Sequence, residues 1–439
     1  MPPTYDQLVE MVEKLQNENS RLKERLEKVE KELKKYHNEN TPSSSNKHLK
    51  GDTQGLHAKG GKRGAPFGHK GTTRRQQPEE VNDIDAGECP HCHSDDLENV
   101  DILKRTVEEI PIPVAPKVTE NHIHKKKCRN CGRVFLPQQN TVPLEGKFGV
   151  NLMVLIIMMK LLLRGVLRKA ASFLEYGFAL SISPAAVNSV IQRTAKAANE
   201  EYAALKERIK NAAKVHIDET SFSILGINWW LWVFRTDNDI LLIVRRSRGQ
   251  DPLKEILGED YSGRITCDCW RVYDFLKKVI IQRCWAHLLR KAKVLVIVPG
   301  RHFYGKLDEM FKEINRFNES KPTEEQRISK YNVMVSQLQE LVRYYGRYDE
   351  VRPVVNYIDN HFDQWLNCVR YPDLEPTNNL AEQALRESVM YKKIIGAFRS
   401  LAGAAYYEIL ASLLATWQMN GLDVQTELRR VPTSNLYRC

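Results

Sequence analysis

The sequence lacks an apolar segment long enough to cross a membrane. Its longest apolar run, residues 152–163, is interrupted by Lys160 and followed by Arg164, and it is shorter than the roughly 20 residues that span a bilayer. An apolar leader is missing as well, because charged residues begin at Asp6. These absences predict a cytoplasmic protein whose longest apolar run forms a buried helix.

Acidic residues are in deficit. The chain has 66 Lys and Arg against 55 Asp and Glu, which gives a formal net charge of +11. This excess favours an anionic partner, with nucleic acid first and a membrane surface second, although it also serves solubility. With 439 residues, 42% of them hydrophobic, the chain is expected to fold into about two to four domains with real cores.

The cysteines do not form an even set, since there are nine of them. Four lie in two C-x-x-C pairs, and in a chain without a leader such pairs favour metal over disulfides. Two pairs supply four thiolates to one tetrahedral zinc and leave no open position, so the site would be structural. The expected ligands of this zinc-binding module, residues 81–140, are Cys89, Cys92, Cys128 and Cys131.

Two alternatives to this ligand set stay open. The interval between the pairs, residues 93–127, is longer than the commonest spacing, so a hairpin has to bring the pairs together. Nearby histidines are alternative zinc ligands. A redox dithiol is the other alternative, and it is less favoured because no thioredoxin-like unit surrounds the pairs. These histidines are His91, His93, His122 and His124.

Residues 5–36 carry a heptad repeat with two apolar seams. The pattern predicts that residues 1–37 form a parallel coiled-coil dimer, in which Asn19 fixes the register. A single solvated helix is the alternative. The first seam contains Tyr5, Val12, Asn19, Leu26 and Leu33, and the second contains Leu8, Leu15, Leu22, Val29 and Tyr36.

Residues 38–80 have few apolar side chains and many glycines and serines, which is typical of a disordered linker. Between Lys47 and Arg75 the one acid is Asp52. Such a segment suits contact with phosphates, although it can also be a linker that touches nothing. The candidate DNA contacts here are Lys62, Arg63, Lys70, Arg74 and Arg75.

Residues 141–212 are predicted to be helical. One helix covers residues 169–176, a turn follows near Gly177, and a second helix starts with Ser183 as N-cap and Pro184 at its first position. This pattern is typical of a helix-turn-helix, and an ordinary helical hairpin is the alternative. Candidate DNA contacts on the second helix are Asn188, Gln192 and Arg193.

After residue 213 the pattern becomes rich in strands. Three strands, a helix, a strand, a helix and a strand form the order of a ribonuclease H-like domain, a mixed sheet flanked by helices. The first strand would end at Asp218 and the fourth just before Asp268. The predicted strands cover residues 215–218, 228–236, 240–245, 264–267 and 279–282, with a helix over 250–257.

Three acids carry the expected chemistry: Asp218, Asp268 and Glu382. In this fold the ends of the first and fourth strands lie side by side, and a helix starting near Asn378 brings Glu382 to them. Oxygen-only ligands suit Mg²⁺ or Mn²⁺, and two such ions serve phosphodiester chemistry. Glu219 follows Asp218 directly, but strand alternation would point it away. Each acid alone can be a surface residue, so the prediction rests on their joint placement.

The motifs around the acids resemble those of DDE transposases of the IS66 (TnpC) insertion-sequence family. Residues 216–220, His-Ile-Asp-Glu-Thr, are similar to the first-acid motif, and residues 376–386, Pro-Thr-Asn-Asn-Leu-Ala-Glu-Gln-Ala-Leu-Arg, to the third. Cys284 and His287 resemble the Cys-x-x-His element that follows the second acid. The resemblance also covers the coiled coil, the basic stretch with residues 68–71, the zinc module and the helical segment.

The second acid departs from the family pattern. The family commonly has a glycine after this acid, whereas here Asp268 is followed by Cys269 and Trp270. Tyr273 fits an aromatic position of the family. Asp274 lies nearby, so it stays an alternative to Asp268.

The resemblance implies that the metal-bound acids activate water to cut one DNA strand at each element end. The freed 3′ hydroxyl then attacks target DNA, without a covalent protein–DNA intermediate. The implied partners are the terminal inverted repeats, target DNA, further copies of the chain and possible accessory proteins. The protein would work in a prokaryotic cytoplasm, at the nucleoid when bound to DNA.

The resemblance also assigns supporting residues and domains. Cys284 and His287 would support the site, with core packing as the alternative. Phosphates would be held by Arg386, Lys392 and Lys393, unless these form a solvated face. The catalytic domain would comprise residues 213–290 and 371–420, with a helical insertion at 291–370 and a tail at 421–439. A DNA-binding relic without activity and a nuclease that only hydrolyses are the rival functions.

Overall fold

The computed structural model of the chain describes residues 147–435 without a break. It also describes residues 114–122, the pairs 126–127, 129–130 and 134–135, positions 93 and 95, and helical positions between 15 and 27. The chain divides into two compact units, Met1–Ile110 and Pro111–Cys439.

In the first unit, the described positions between residues 15 and 27 are all helical. Leu15 and Leu22, both from the predicted second seam, are exposed on this helix. Pairing of two such helices stays a prediction. The basic residues Lys62, Arg63, Lys70, Arg74 and Arg75 and the four cysteines of the predicted zinc site lie outside the described residues.

The second unit combines helices with a short hairpin and a larger sheet. The strands are β1 (Lys126–Lys127), β2 (Val134–Phe135), β3 (Lys214–Ile224), β4 (Ile227–Arg235), β5 (Ile240–Arg245), β6 (Arg264–Cys267) and β7 (Ile280–Arg283). The helices are α1 (Val150–Leu161), α2 (Leu167–Phe178), α3 (Pro184–Ala197), α4 (Asn199–Lys210), α5 (Asp251–Leu257), α6 (Trp285–Lys293), α7 (Val298–Glu319), α8 (Glu324–Tyr345), α9 (Arg352–Asp359), α10 (Asn367–Arg370), α11 (Asn379–Ile395), α12 (Leu401–Met419) and α13 (Val424–Asn435).

The larger sheet has five strands in the order β5-β4-β3-β6-β7. Strands β3, β4 and β5 are antiparallel, while β6 and β7 run parallel to β3. Aromatic and β-branched residues dominate β4 and β5 and favour extended backbone. The predicted mixed α+β class is confirmed.

Strand β3 is longer than predicted. The predicted strand ended at Asp218, but β3 pairs with β4 through Ile224 and Ile227. Polar residues alternate there with the buried Phe222 and Ile224, which is the pattern of a strand with one buried face, so the sequence held a signal for the continuation. A two-residue hairpin closes the pair, with φ values of 53° at Leu225 and 79° at Gly226, the backbone that such turns require.

Helix α12 covers the β5 edge of the sheet. The backbone N–H groups of Ile240 and Leu242 donate to the hydroxyls of Thr416 and Ser412, at 3.0 and 2.8 Å. Glu408 accepts from Val244 N at 2.9 Å. An edge strand normally presents unpaired N–H groups, so these side chains complete the hydrogen bonding of β5.

Helices α6 to α10 pack around a second hydrophobic core, separate from the core of the sheet. This core begins with Trp285 and reaches Leu374, so the packed insertion is wider than the predicted residues 291–370. Its centre contains Phe303, Met334 and Trp365.

The last described segment is a helix rather than the predicted tail. Helix α13 packs on α1 and α3 and buries Leu428 and Val431. Its apolar residues Val424, Leu428 and Val431 have the i, i+4, i+7 spacing of an amphipathic helix, a signal that the predicted tail left unused. Helix α1, predicted to be buried, is buried at Met153 and Ile156. No helix within the described residues has the length and apolarity needed to cross a membrane.

Candidate active site

The parallel pair β3 and β6 sets two of the acids side by side. His216 on β3 is in register with Thr266 on β6. Continuing this register by two positions reaches Asp218 on β3 and Asp268, which follows β6 directly. The two predicted acids therefore lie at the same level of the sheet, as expected from the strand order.

Glu382 reaches the same place from helix α11, which packs on β3 and β4. It lies in the first turn of the helix, where its N–H donates to the carbonyl oxygen of Asn378 at 3.2 Å. Burial, followed by the negative charges of Glu219, Asp268 and Glu382, raises the pKa of Asp218 well above its usual range. Asp218, Asp268 and Glu382 are all half-buried, and a group of neighbouring carboxylates is the composition that a divalent cation stabilises.

Asn378 links the elements that carry the first and third acids. Its fully buried side chain donates from Nδ2 to the carbonyl oxygen of Ile217 at 2.7 Å, and its Oδ1 lies 3.3 Å from Nδ1 of His216. Burial lowers the pKa of His216 to about 4, so this imidazole is neutral at physiological pH. Asn378 was not among the predicted site residues, although it belongs to the third-acid motif.

Cys284 connects Asn378 to the strand that precedes the second acid, Asp268. Its backbone N–H donates to the carbonyl oxygen of Cys267 at 2.9 Å, and its Sγ accepts from the N–H of Asn378 at 3.2 Å. Burial raises the pKa of the Cys284 thiol to about 11. The residue therefore stays a neutral thiol that joins the end of β6 to the start of α11.

His287 lies close to the third acid. Its Nδ1 is 3.9 Å from Oε1 of Glu382, and its N–H donates to the carbonyl oxygen of Cys284 at 3.2 Å. The potential donor atoms of Cys284, His287 and Glu382 all lie within 4.8 Å of one another. The Cys-x-x-His element is thus part of the site, beside Glu382.

Asp274, the alternative second acid, has a different partner. Its Oδ1 accepts from Nη2 of the fully buried Arg283 at 2.7 Å. Arg283 also donates to the carbonyl oxygens of Asp268 and Trp270, at 2.7 and 3.1 Å. Arg283 therefore binds both the loop after β6 and the carboxylate of Asp274. The negative charge of Asp268, in contrast, contributes to the raised pKa of Asp218.

Glu219 forms a buried ion pair next to the acids. Its Oε1 accepts from Arg248 Nε at 2.9 Å, and its Oε2 lies 3.5 Å from the hydroxyl of Tyr273. Burial, with Asp268 next, raises its pKa to about 7, against the opposing effect of Arg248. Strand alternation predicted that Glu219 would point away from the acids, and no local pattern indicated Arg248 as its partner.

Within the described part of the chain, the candidate DNA contacts lie on helices α3 and α11. On α3, which Ser183 caps through Ala186 N at 3.1 Å, Asn188 is exposed and Gln192 and Arg193 are half-buried. Helix α2 ends at Phe178, later than predicted, with Ala179 left-handed at a φ of 49°. Helices α2 and α3 pack together.

On α11, Arg386 and Lys393 are exposed, whereas Lys392 is half-buried. The ammonium of Lys392 donates to the carbonyl and hydroxyl oxygens of Ser221, at 2.6 and 2.9 Å, and burial lowers its pKa. Lys392 thus fastens α11 to β3 in addition to any contact with a phosphate.

The second C-x-x-C pair lies between the strands of the short hairpin. Strands β1 and β2 are antiparallel, and Arg129 and Asn130, the two residues between the cysteines, form a turn. This turn is the local geometry expected of a zinc knuckle.

Two family models match the chain. One, described as the transposase IS66 family, matches residues 145–406, more than half of the chain, and includes all three acids. The other, described as the zinc-finger binding domain of transposase IS66, matches residues 87–132 and includes both C-x-x-C pairs. A comparison with curated proteins finds no significant match.

Proposed function

The chain belongs to the IS66 family of transposases, and on this basis we propose that it cuts DNA at element ends and joins them to target DNA. Asp218, Asp268 and Glu382 are the catalytic residues of this proposal. The observation that carries it is the placement of the three acids. Asp218 and Asp268 lie at the same level of the parallel pair β3 and β6, and a hydrogen bond from Asn378 to Ile217 ties the start of the helix that carries Glu382 to β3.

The sheet supports this assignment. The order β5-β4-β3-β6-β7 is the one expected of a ribonuclease H-like domain, with the first acid on the central strand and the second after its parallel neighbour. The helical insertion enters after β7 and leaves before α11, so it separates the second and third acids in sequence without separating them in space.

The donor set fits two divalent cations such as Mg²⁺ or Mn²⁺. Carboxylates alone suit such hard ions, and the neighbouring negative charges that help to raise the pKa of Asp218 favour a bound cation. When bound, two ions activate the attacking oxygen and stabilise the leaving oxygen of a phosphodiester. The chain's own residues orient the acids: Asn378 and Cys284 hold the backbone before Asp218 and Asp268.

The zinc-finger match supports Zn²⁺ as a second kind of metal in this protein. We infer that Cys89, Cys92, Cys128 and Cys131 hold it, and the turn at Arg129 and Asn130 supports the second pair. Four thiolates leave no position for a substrate, so this ion has a structural role.

Membership of a transposase family and the zinc-finger match support DNA as the partner. Exposed Arg386 and Lys393 lie on the same helix as Glu382, which suits contact with phosphates near the site. The helix-turn-helix role of α2 and α3, the basic linker and a coiled-coil dimer belong to the same proposal.

The test is strand transfer by the full-length protein with Mn²⁺ and labelled terminal inverted repeats. Wild type is compared with Asp218→Asn, Asp268→Asn and Glu382→Gln. Asp260→Asn is the matched control, because Asp260 is an exposed acid that precedes β6 and pairs with Lys278. We expect the three site variants to bind DNA without cutting or joining it, and the control to act like wild type.

Other outcomes would reject the proposal in different ways. Cutting without joining by the wild type would identify a hydrolysing nuclease. Binding with neither step, accessory proteins included, would identify a DNA-binding relic. Full activity in any of the three variants would remove that acid from the catalytic set.

A further inference from the structure

A tryptophan–arginine–tryptophan cluster lies beside the second acid. The guanidinium carbon of Arg248 is 4.4 Å from the ring centroid of Trp270 and 4.6 Å from that of Trp230. Both distances lie within the range of a cation–π contact. Trp270 comes two residues after Asp268, so this cluster, which we call the Trp270 cluster, adjoins the candidate catalytic acids.

The cluster has a buried anchor. Arg248 pairs with Glu219 at 2.9 Å, and the Glu219 side chain is 1% exposed. A guanidinium that is tied to a buried carboxylate has little freedom to leave the rings. Arg248 therefore holds Trp230 and Trp270 in a defined arrangement.

The backbone of Trp270 is also held in place. Its N–H donates to Oδ1 of Asp268 at 2.9 Å, and its carbonyl oxygen accepts from Arg283 Nη1 at 3.1 Å. Arg283 is fully buried. The indole is therefore mounted on the same fixed loop as the catalytic acid, and its position relative to Asp268 is set before any ligand arrives.

Trp270 is nevertheless 43% exposed. Leaving a large aromatic surface in water costs free energy in proportion to its area. Phe173, Tyr176 and Tyr344 are exposed aromatics as well, but Trp270 lies two residues after Asp268 and is supported by an arginine that is tied to a buried carboxylate. A rigid, supported and accessible aromatic ring is a stacking platform for another flat π system.

From this geometry we propose that Trp270 binds an unstacked nucleobase of the DNA end, next to the phosphate that is cut. The inference rests on the proposed function, which brings that phosphate to Asp268. A base inside a duplex has both faces covered by its neighbours, so a protein ring stacks only on a base that has left the stack. Arg248 and Trp230 are positioning residues that support the ring.

The test measures DNA binding in Ca²⁺, so that it does not depend on the chemical step. The probes are terminal inverted-repeat duplexes, intact or with one abasic position placed in turn on either side of the cut. On intact DNA we expect Trp270→Ala to weaken binding on the order of ten-fold. At one abasic position the variant and the wild type are expected to bind equally, because the stacking partner is gone.

Two further variants separate stacking from a structural role. Trp270→Phe keeps an aromatic face and is expected to restore most of the binding, whereas Trp270→Leu keeps apolar bulk and is not. Tyr344→Ala is the matched control, because Tyr344 is an exposed aromatic of the insertion with Arg347 at 3.9 Å from its ring. It is expected to bind every probe like wild type.

The inference fails if Trp270→Ala binds all probes as wild type does, or if it weakens all of them by the same factor. It also fails if Trp270→Leu restores binding as well as Trp270→Phe. In these cases, strand transfer by the wild type under the same conditions in Mn²⁺ would still support the proposed function. Absence of binding to any terminal repeat would overturn both.

Discussion

The side-chain amide of Asn378 donates a hydrogen bond of 2.7 Å to the carbonyl oxygen of Ile217, the residue before Asp218. Cys284 makes the equivalent backbone contact to Cys267, the residue before Asp268. Because Cys284 Sγ also accepts from Asn378 N, one connected set of hydrogen bonds holds the start of α11 and both strand ends. The relative position of the three acids depends on this set.

Asn378→Asp keeps the size and shape of the side chain but is expected to disrupt the site. One oxygen of the new carboxylate would replace the donor Nδ2 and face the carbonyl oxygen of Ile217, and this buried contact between two acceptors is unfavourable even though His216 lies beside the other oxygen. We expect strand transfer to fall on the order of 100-fold, the effect of a small misplacement of reacting groups. Strand-transfer rates and DNA affinity should be measured side by side.

The matched control for this prediction is Asn379→Asp. Asn379 is the neighbouring residue, but it is exposed at the start of α11, where a negative charge is tolerated. The control should retain activity, and DNA binding should change little in either variant. Equal losses in the two variants would show that Asn378 has no special positioning role.

Metal-free protein is expected to lose stability as the pH rises. The pKa of Asp218 is raised by burial and by its acidic neighbours, and that of Glu219 rises from 4.5 to about 7. The folded state therefore holds these protons more tightly than the unfolded state. The resulting stabilisation is present at low pH and disappears as the pH rises through the raised values.

This linkage gives a comparison between wild type and Asp218→Asn. In EDTA the variant should melt at a higher temperature than wild type at pH 8, by about 2–4 °C for each kcal/mol of relieved repulsion, and at nearly the same temperature at pH 4. Mg²⁺ should raise the melting temperature of the wild type most at pH 8 and that of the variant much less. A metal-induced shift that is equal in both proteins would contradict this prediction.

Zinc content should depend on the paired cysteines. We expect about one zinc per chain in the purified wild type, in line with four thiolates for a tetrahedral site, and its loss in Cys128→Ser, measured by elemental analysis. Cys439→Ser, at a cysteine outside both pairs, is the control and should keep the ion. Retention of zinc by Cys128→Ser would require a different ligand, such as one of the neighbouring histidines.

The two adjacent lysines of α11 should differ in effect. Lys393→Ala is expected to weaken DNA binding uniformly across sequences and to reduce the slope of log affinity against log salt by about 0.9 for one lost phosphate contact. Lys392→Ala should mainly lower the melting temperature, because its ammonium donates to Ser221. Lys312→Ala, in an exposed pair with Asp308 on the insertion, should change neither the slope nor the affinity.

Local sequence patterns were sufficient for the elements that carry the chemistry. Strands β5 and β6 have the predicted bounds, because β5 is an almost continuous apolar run and β6 is a short stretch with β-branched residues between Gly263 and Asp268. The third-acid motif predicted the helix start near Asn378, and the strand order alone indicated that Asp218 and Asp268 would meet. The transposase family was also identified from these motifs, and the family match confirms it.

Tertiary contacts decided the features that the sequence reading missed. The second half of β3 is held by its pairing with β4, and α13 by packing against α1 and α3. Glu219 is buried because Arg248 and Tyr273 reach it from other elements.

Asn378 and Ile217 are 161 residues apart, so no periodicity along the chain reports their contact. The sequence by itself determined most of the strands and helices and which acids are available, because these follow from neighbours along the chain. The folded structure alone decided which side chains hold those acids in place, because such contacts exist only after distant segments have packed together.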